Sequence, residues 1–202
     1  MKRTLFSLTL LCLLCLPGFG CAGGVSSGKI TPADPRCEWT QNPLGMDIAQ
    51  PRLSWSIQSE KRDQFQTAFQ ILAASSAELL AGDRGDLWDS GMLTCDETIQ
   101  ILYNGKPLKS SQQVLWKIRV WDKDNKPSAW SRPASWTMGL LSEDDWHAHW
   151  VGADANSQTL LLRREFTVKP KLRRALAFVC GLGQYEMSLN GRKAGDDLLS
   201  PG

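Results

Sequence analysis

The alternation of apolar and polar residues is the feature that most restricts the fold of this chain. Between residues 37 and 139 apolar side chains recur mostly with a period of two, which is typical of β-strands. One segment, for example, places Leu53, Trp55 and Ile57 on the same face of an extended chain. The first half of the sequence therefore predicts a β-sheet protein.

Turn-forming residues divide this alternating region into seven short strands. Ser76–Leu80 is the single helical segment that we expect there, with Ser75 or Ser76 as its cap. Seven short strands in about 100 residues predict an immunoglobulin-like or fibronectin type III β-sandwich. The predicted strands are Cys37–Thr40, Arg52–Ile57, Thr67–Ala74, Leu87–Trp88, Thr98–Tyr103, Val114–Trp121 and Ala129–Met138.

A second β-rich unit is expected after the acidic boundary Leu140–Asp145. Its predicted strands are too few to close a sandwich. We therefore expect an incomplete domain, cut within its sheet. The predicted elements are Leu160–Val168 paired with Arg174–Cys180, Tyr185–Leu189, a tight turn at Asn190–Gly191, and a return strand that begins at Ala194.

The first residues indicate export. Lys2 and Arg3 precede the apolar run Leu5–Leu16, which is the layout of a secretory signal peptide. Two processing routes stay open: cleavage near Gly20, or lipoprotein processing with lipid on Cys21. The expected location is periplasmic, outer-membrane-anchored or extracellular. The predicted domains are a signal peptide (1–20), a flexible tether (21–35), the first sandwich (36–140) and the partial second domain (141–202).

Charge and cysteine content exclude several functional classes. The chain has 23 Lys and Arg against 21 Asp and Glu, a formal charge of +2, so we expect no nucleic-acid partner. Membrane contact is expected only through a lipid on Cys21. Cys37, Cys95 and Cys180 contain no CxxC pair. At most one disulfide could form among these three, and buried free thiols are the favoured interpretation.

No motif for catalysis, metal binding or cofactor binding is evident, so no cofactor and no metal are expected. His147 and His149 lack partnered ligands and are read as solvent-facing, and Glu143–Asp145 is read as a solvated linker. Asp83, Asp86 and Asp89 are predicted to be turn residues.

Nine tryptophans against two tyrosines are unusual. Trp55 and Trp116 lie on apolar faces and are predicted to be core residues. Trp121 and Trp130 are predicted to meet across the last hairpin, packed against Arg119 or Arg132 by cation–π contact. Exposed tryptophans could also act as surfaces on which sugars stack. The sequence pattern does not identify which of the other tryptophans would do so.

A series of strings, in order, resembles the N-terminal region of bacterial α-L-rhamnosidases, which are large multidomain glycoside hydrolases. The strings are CEWTQNPLGMD (Cys37–Asp47), PRLSW (Pro51–Trp55), QTAFQILAASS (Gln66–Ser76), GDLWDSG (Gly85–Gly91), LWKIRVWDKDNKPSAWS (Leu115–Ser131), MGLLSEDDWHAHWVG (Met138–Gly152) and GLGQYEMSLNGRKAGDDLLSPG (Gly181–Gly202).

The resemblance implies a fibronectin-like domain followed by the start of a β-jelly-roll domain. In such enzymes an (α/α)6 barrel further along the chain holds the acid and base carboxylates. The implied reaction is inverting hydrolysis of terminal α-L-rhamnose. No catalytic residue can be carried over to this sequence. The implied function is that of a non-catalytic N-terminal fragment, whose full-length relatives have rhamnose-containing glycans as partners.

Tyr185, Glu186 and Asn190 are the candidate sugar-binding residues under this resemblance. The competing interpretation of these three is ordinary hairpin packing and turn formation. An alternative function is a stand-alone secreted carbohydrate-binding module or a structural module of the cell surface. The interpretation as a stand-alone binding module predicts both saturable sugar binding and a monodisperse fold of the chain by itself.

Overall fold

The computed structural model describes residues 29–153 and 159–196. The predicted signal peptide, its Cys21 lipidation site and residues 197–202 lie outside the described residues. One short α-helix, α1 (Ala77–Ala81), and one turn of 3-10 helix (Glu143–Asp145) accompany the strands. The strands are β1 (Thr31–Cys37), β2 (Arg52–Gln58), β3 (Ala68–Ala74), β4 (Trp88–Asp89), β5 (Leu93–Thr94), β6 (Ile101–Leu102), β7 (Gln113–Trp121), β8 (Ala134–Thr137), β9 (Ser188–Leu189) and β10 (Arg192–Lys193).

Two sheets account for the first eight strands, and the prediction of an all-β fold is confirmed. One sheet has the order β1-β2-β6, and the other has the order β4-β3-β7-β8 with β5 also paired to β3. Strands β3 and β7 run antiparallel, from Ala68 opposite Trp121 to Ala74 opposite Leu115. All seven residues of β3 are buried, because this strand lies in the interior of its sheet and is covered on both faces.

The chain divides into two compact units. The first unit contains the greater part of the core, including Leu53, Trp55, Ile71, Trp116 and Ile118. The predictions that Trp55 and Trp116 are core residues are therefore confirmed. Of the described residues, the first unit comprises 29–42, 50–106 and 114–135, and the second comprises 43–49, 107–113, 136–153 and 159–196.

Backbone hydrogen bonds join separate segments of the second unit. The Met46 N–H donates to the Thr137 carbonyl at 2.9 Å, and the Gly139 N–H donates back to Met46 at 2.7 Å. A Cβ at Gly139 would lie 3.0 Å from the Gly45 carbonyl oxygen, so this close approach favours glycine. Arg174 adds side-chain bonds of 3.0 Å to the Thr137 hydroxyl and to the Ser111 carbonyl.

The first strand differs from its prediction. We expected a strand at Cys37–Thr40, but β1 ends at Cys37, whose backbone N–H and carbonyl both bond to Thr40 at 3.0 Å. Glu38 and Trp39 have positive φ values of 46° and 69°, and this conformation closes a turn instead of extending the strand. Residues 31–35, which were predicted to belong to the flexible tether, thus form part of β1, a strand at the edge of the β1-β2-β6 sheet.

The strand predicted at Ala129–Met138 is shortened to β8, because two serines replace regular pairing beside β7. The Ser128 N–H donates to the Val120 carbonyl at 2.8 Å, and its hydroxyl accepts from the Val120 N–H at 3.1 Å. Ser131 repeats this arrangement on Ile118, at 2.7 Å and 3.1 Å. We call Ser128 and Ser131 the serine clamp.

The helical prediction is confirmed, and the choice of cap is resolved. The Ser76 hydroxyl accepts from the Leu79 N–H at 3.3 Å, so Ser76 caps α1. Ser75 has another role, because its N–H and its hydroxyl donate to the two carboxylate oxygens of Asp86 at 2.8 and 2.6 Å. The two neighbouring serines therefore hold different segments.

The strands predicted at Leu160–Val168 and Arg174–Cys180 are absent from the described residues. A strand is stabilised by a partner backbone and by burial of one face, and here the side chains of Leu161 and Val179, one from each segment, are 97% and 46% exposed. The hairpin β9–β10 forms around Asn190–Gly191, so the return strand begins at Arg192 and not at Ala194.

The three cysteines in the described residues are free, with Cys37 buried, Cys95 half-buried and Cys180 exposed. The expectation of buried free thiols is confirmed for Cys37 and wrong for Cys180, which lies in the region without strands. Burial raises the pKa of the Cys37 thiol to about 12, because the thiolate would lose its hydration. Among the described residues, no helix has the length and apolar character needed to cross a membrane.

Candidate functional site

The three candidate sugar-binding residues lie at and beside the β9–β10 hairpin. The Tyr185 hydroxyl donates to the Val179 carbonyl at 3.3 Å, and Glu186 forms an ion pair with Lys193 at 3.2 Å. Asn190, with a φ of 51°, occupies the turn together with Gly191, as a two-residue hairpin turn requires. All three have a structural role, and their binding of sugar stays a prediction.

Asp83 and Asp89, two of the three predicted turn residues, contact neighbouring chain segments. Asp83 accepts from the Lys117 ammonium group, and hydrogen bonding holds the pKa of Asp83 below its ordinary value. Asp89 accepts from the Gln70 amide at 2.6 Å and from the Gly91 N–H at 2.9 Å. Asp83 lies in the turn that follows α1, as predicted, whereas the prediction is wrong for Asp89, which is the last residue of β4 and accepts from the Gly91 N–H just after that strand.

Histidines and acids near the boundary between the predicted domains do not converge. His147 and His149 are exposed, and Glu143–Asp145 forms a single turn capped by the Ser142 hydroxyl. In the part of the chain that the structure describes, no three His, Cys, Asp or Glu side chains form a group that could hold a metal ion.

One predicted tryptophan contact is a stacked arrangement around Arg119. Its guanidinium carbon lies 5.1 Å from the Trp121 ring centre and 4.7 Å from that of Trp130, so the predicted cation–π packing is confirmed with Arg119 as the cation. Arg119 also donates twice to the Gln70 side-chain oxygen, at 2.9 and 2.7 Å. Trp121 and Trp130 thus contribute to packing in the first unit.

A cleft of about 440 Å³ in the first unit is the concave feature that sequence reasoning missed. We call it the edge cleft. It lies between the β4–β5 segment, with Trp88, Asp89 and Leu93, and the β6 segment, with Leu102 and Asn104; Gln50, which precedes β2, completes the wall. Small-molecule sites commonly enclose about 300–1,000 Å³.

The edge cleft exists because both sheets end there in two-residue strands. Strand β6 is the terminal strand of its sheet and pairs only with Arg52 and Leu53 of β2. Strands β4 and β5 each cover only two residues of β3. No strand of the described chain fills the space between these ends.

A pair of aromatic rings forms one side of the edge cleft. Trp88 meets Tyr103 edge-on, with 5.3 Å between ring centres and an interplanar angle of 79°. Tyr103 is only 2% exposed, and its hydroxyl donates to the Lys106 carbonyl at 2.9 Å. A Cβ on Gly105 would lie 2.6 Å from the Trp88 Cβ, so this glycine lets the chain pass close enough to fix the indole.

Sequence reasoning could not find this cleft because its residues come from three separate segments. Trp88 was predicted to lie in a short strand, and Asn104 directly follows the predicted strand Thr98–Tyr103. The signal that was present is the string GDLWDSG (Gly85–Gly91), which places a tryptophan between turn residues rather than within a long alternating strand.

The two-sheet arrangement defines an immunoglobulin-like domain, and comparison with known proteins agrees. Residues 32–142 match the family model described as the Rha78A-like, N-terminal immunoglobulin domain. Residues 170–202 match the α-L-rhamnosidase N-terminal domain. The chain therefore belongs to the family of Rha78A-like N-terminal immunoglobulin domains and corresponds to an N-terminal part of α-L-rhamnosidases, as its resemblance implied.

Curated relatives of the chain are named α-L-rhamnosidases. An α-L-rhamnosidase of Formosa agariphila is 33% identical over 177 residues, which cover 82% of this chain and 19% of that protein. An α-L-rhamnosidase of Alteromonas sp. is 36% identical over 175 residues, covering 80% of this chain and 19% of that protein. The chain spans about a fifth of the length of these relatives.

Solved structures support the same family. The chain is similar to the Streptomyces avermitilis α-L-rhamnosidase complexed with L-rhamnose, with 40% identity and a TM-score of 0.59 over 61% of this chain and 12% of that one. It is also similar to the α-L-rhamnosidase from Dictyoglumus thermophilum, with 36% identity and a TM-score of 0.57 over 58% of this chain and 13% of that one.

Proposed function

We propose that this chain is the non-catalytic N-terminal module of an exported α-L-rhamnosidase that removes terminal α-L-rhamnose from glycans or glycosides. The observation that carries the proposal is the succession of two family matches, residues 32–142 and then residues 170–202. Together these matches reproduce the order of an N-terminal rhamnosidase region, in a chain about a fifth as long as its relatives.

The composition of the edge cleft supports a non-catalytic role for the module. Most glycosidases need two carboxyl groups, about 5–9.5 Å apart, on either side of the bond that is cleaved. Of the residues that line the edge cleft, Asp89 alone has a carboxyl group. Its Oδ1 already accepts two hydrogen bonds, which favours a fixed structural carboxylate over a general acid.

The exposed apolar side chains of the second unit support the same proposal. Leu161, Phe166 and Leu182 are 97%, 67% and 91% exposed, and large exposed apolar groups in such number are typical of surfaces that bind another protein segment. In this proposal, further strands of the rhamnosidase N-terminal domain cover them. A stand-alone module would leave them in water.

The first test measures activity directly. The purified chain is expected to release no nitrophenol from 4-nitrophenyl α-L-rhamnopyranoside above the buffer rate, because the edge cleft contains a single carboxyl group, that of Asp89, where hydrolysis needs two. The whole Formosa agariphila relative serves as the positive control. Turnover by this chain that persists after repeated purification would contradict the proposed role.

A chimera tests the positive half of the proposal. Residues 32–142 of this chain, grafted in place of the matching segment of the Streptomyces avermitilis enzyme, are expected to leave a folded enzyme with measurable rhamnosidase activity. The exchange is feasible because the Streptomyces avermitilis enzyme is 42% identical to this chain over 121 residues. A chimera that folds but lacks activity would show that residues 32–142 do not act as an equivalent module.

Export is the second part of the proposal, and it rests on Lys2, Arg3 and the apolar run Leu5–Leu16. Mass spectrometry of the mature protein is expected to show loss of about 20 residues, with or without lipid on Cys21. If lipid is present, a Cys21→Ser variant should no longer incorporate labelled fatty acid. A mature protein that retains Met1–Leu16 would contradict export.

A further inference from the structure

The edge cleft combines a fixed aromatic surface with an apolar rim. Trp88 is half-buried, and its indole packs against the buried Tyr103, while Leu93 and Leu102 are 42% and 56% exposed beside it. A flat ring with neighbouring methyl groups suits a ligand that has an apolar face, and a half-exposed ring gains free energy when such a face covers it. The C–H face of a pyranose is a ligand of this kind.

Two exposed amides provide the polar part of the cleft. Gln50 and Asn104 line its wall, and neither side chain is hydrogen-bonded to another group in the described part of the chain. Each amide offers two N–H donors and one carbonyl acceptor, which match hydroxyl groups that both donate and accept. Asp89 Oδ1 is not counted among these polar groups, because it already accepts hydrogen bonds from the Gln70 amide and the Gly91 N–H.

The size and charge of the cleft favour a neutral small ligand over a peptide or an anion. Strand β6 offers only Ile101 and Leu102, which is too short an edge to hold an added polypeptide strand by its backbone. The Asp89 carboxylate lies in the wall and would repel a phosphate or carboxylate ligand. A volume of about 440 Å³ falls within the range of small-molecule sites.

We propose that the edge cleft, with Trp88 as the stacking surface and Gln50 and Asn104 as hydrogen-bonding groups, is a binding site for a neutral pyranose of a glycan. This site lies in the immunoglobulin-like domain and is separate from the candidate residues Tyr185, Glu186 and Asn190. It gives the module a ligand of its own and goes beyond the role proposed above. It would hold a glycan chain near the enzyme without taking part in hydrolysis.

Sugar binding is tested on the purified full chain by calorimetry, with methyl α-L-rhamnopyranoside and methyl α-D-glucopyranoside as probes. Shifts of the tryptophan indole N–H signals in nuclear magnetic resonance spectra give a second readout. We expect saturable binding of at least one glycoside at millimolar concentration, with one indole signal shifting along the same isotherm.

Variants locate the binding. The double variant Gln50→Ala/Asn104→Ala is expected to bind about tenfold more weakly, since each substitution removes hydrogen bonds to the sugar. Both side chains are exposed, so its thermal unfolding midpoint should equal that of the parent chain. The matched control is Gln58→Ala, because Gln58 is exposed and lies outside the cleft, and it should bind as the parent does.

Three outcomes with this chain alone would overturn the inference: no saturable binding of either glycoside, unchanged affinity in the double variant, or equal loss in the Gln58→Ala control. Protection of the cleft residues from solvent by the remaining domains of a rhamnosidase, and not by a glycoside, would also overturn it. The occupant of the cleft would then be polypeptide. The readout is binding by the chain itself, so its failure leaves the rhamnosidase assignment and its activity test unaffected.

Discussion

Replacement of Trp55 by alanine is expected to lower the free energy of unfolding by about 3–5 kcal/mol. Trp55 is 4% exposed and meets Phe69 edge-on, with 5.1 Å between ring centres. Trp55 belongs to β2 and Phe69 to β3, so this contact joins the two sheets of the first unit. The substitution would remove this contact and leave a cavity in the core.

A hydrogen-bond chain increases the expected cost. The Trp55 indole N–H donates to the Gln66 side-chain oxygen at 3.0 Å, and the Gln66 amide donates to the Cys95 and Glu97 carbonyls at 3.0 and 2.9 Å. Loss of the indole leaves the Gln66 oxygen buried without its donor, and an unsatisfied buried acceptor costs free energy. The segment at residues 95–97 should loosen at the same time.

Chemical denaturation followed by circular dichroism measures this effect. Trp55→Phe is the matched variant, because it keeps an aromatic ring but removes the N–H donor. It should cost about 1–3 kcal/mol, less than Trp55→Ala. Equal stability of Trp55→Ala and the parent chain would show that the two sheets are not joined through this residue.

Removal of the Ser131 hydroxyl is expected to cost about 1–3 kcal/mol, a large effect for one oxygen atom. The buried Ile118 N–H donates to this hydroxyl, and the same hydroxyl donates to the Arg132 carbonyl at 2.9 Å. Ser131→Ala would leave the Ile118 N–H without an acceptor. Ser128→Ala should do the same to Val120, whose N–H donates to the Ser128 hydroxyl.

Thermal unfolding of the two single variants and of the double variant measures the serine clamp. Each serine bonds to a different residue of β7, so we expect the two losses to add approximately. Ser56→Ala is the control: Ser56 is exposed and donates to the Ala33 carbonyl at 3.2 Å, and its loss should cost less than about 0.5 kcal/mol. If Ser131→Ala is no more destabilising than this control, the clamp does not contribute to stability.

Alternation was sufficient to predict the strands that lie inside a sheet. The boundaries of β2, β3 and β7 fall within one residue of those predicted, because buried faces impose a regular pattern of apolar side chains. Trp55 and Trp116 were identified as core residues for the same reason. In this region the local pattern and the tertiary packing agree.

Alternation fails where other groups take the place of strand pairing. Strand β1 contains Pro32 and Pro35 and lies at a sheet edge, where the missing proline N–H is tolerated but the sequence pattern is lost. The serine clamp leaves no periodic signal, since a hydroxyl substitutes for a backbone partner. The edge cleft escaped because Gln50, Trp88 and Asn104 are distant in sequence, and only the fold brings them together.

The environments of some tryptophans could be predicted from the sequence, and those of others could not. Arg119 between Trp121 and Trp130 was expected from neighbouring positions on one hairpin. The exposure of Trp39 and Trp150, at 51% and 67%, has no counterpart in their local sequence pattern. Burial of a single aromatic residue depends on the packing around it, which one strand does not specify.

The serine clamp also has a consequence for self-association. An open strand edge presents unpaired N–H and carbonyl groups that can recruit a strand of another molecule, which is a common route to aggregation. Ser128 and Ser131 occupy these groups at Val120 and Ile118 while their own segment departs from regular strand geometry. The clamp thereby ends the hydrogen-bond ladder at this point of β7, so an incoming strand would meet no free backbone donor or acceptor at these two residues.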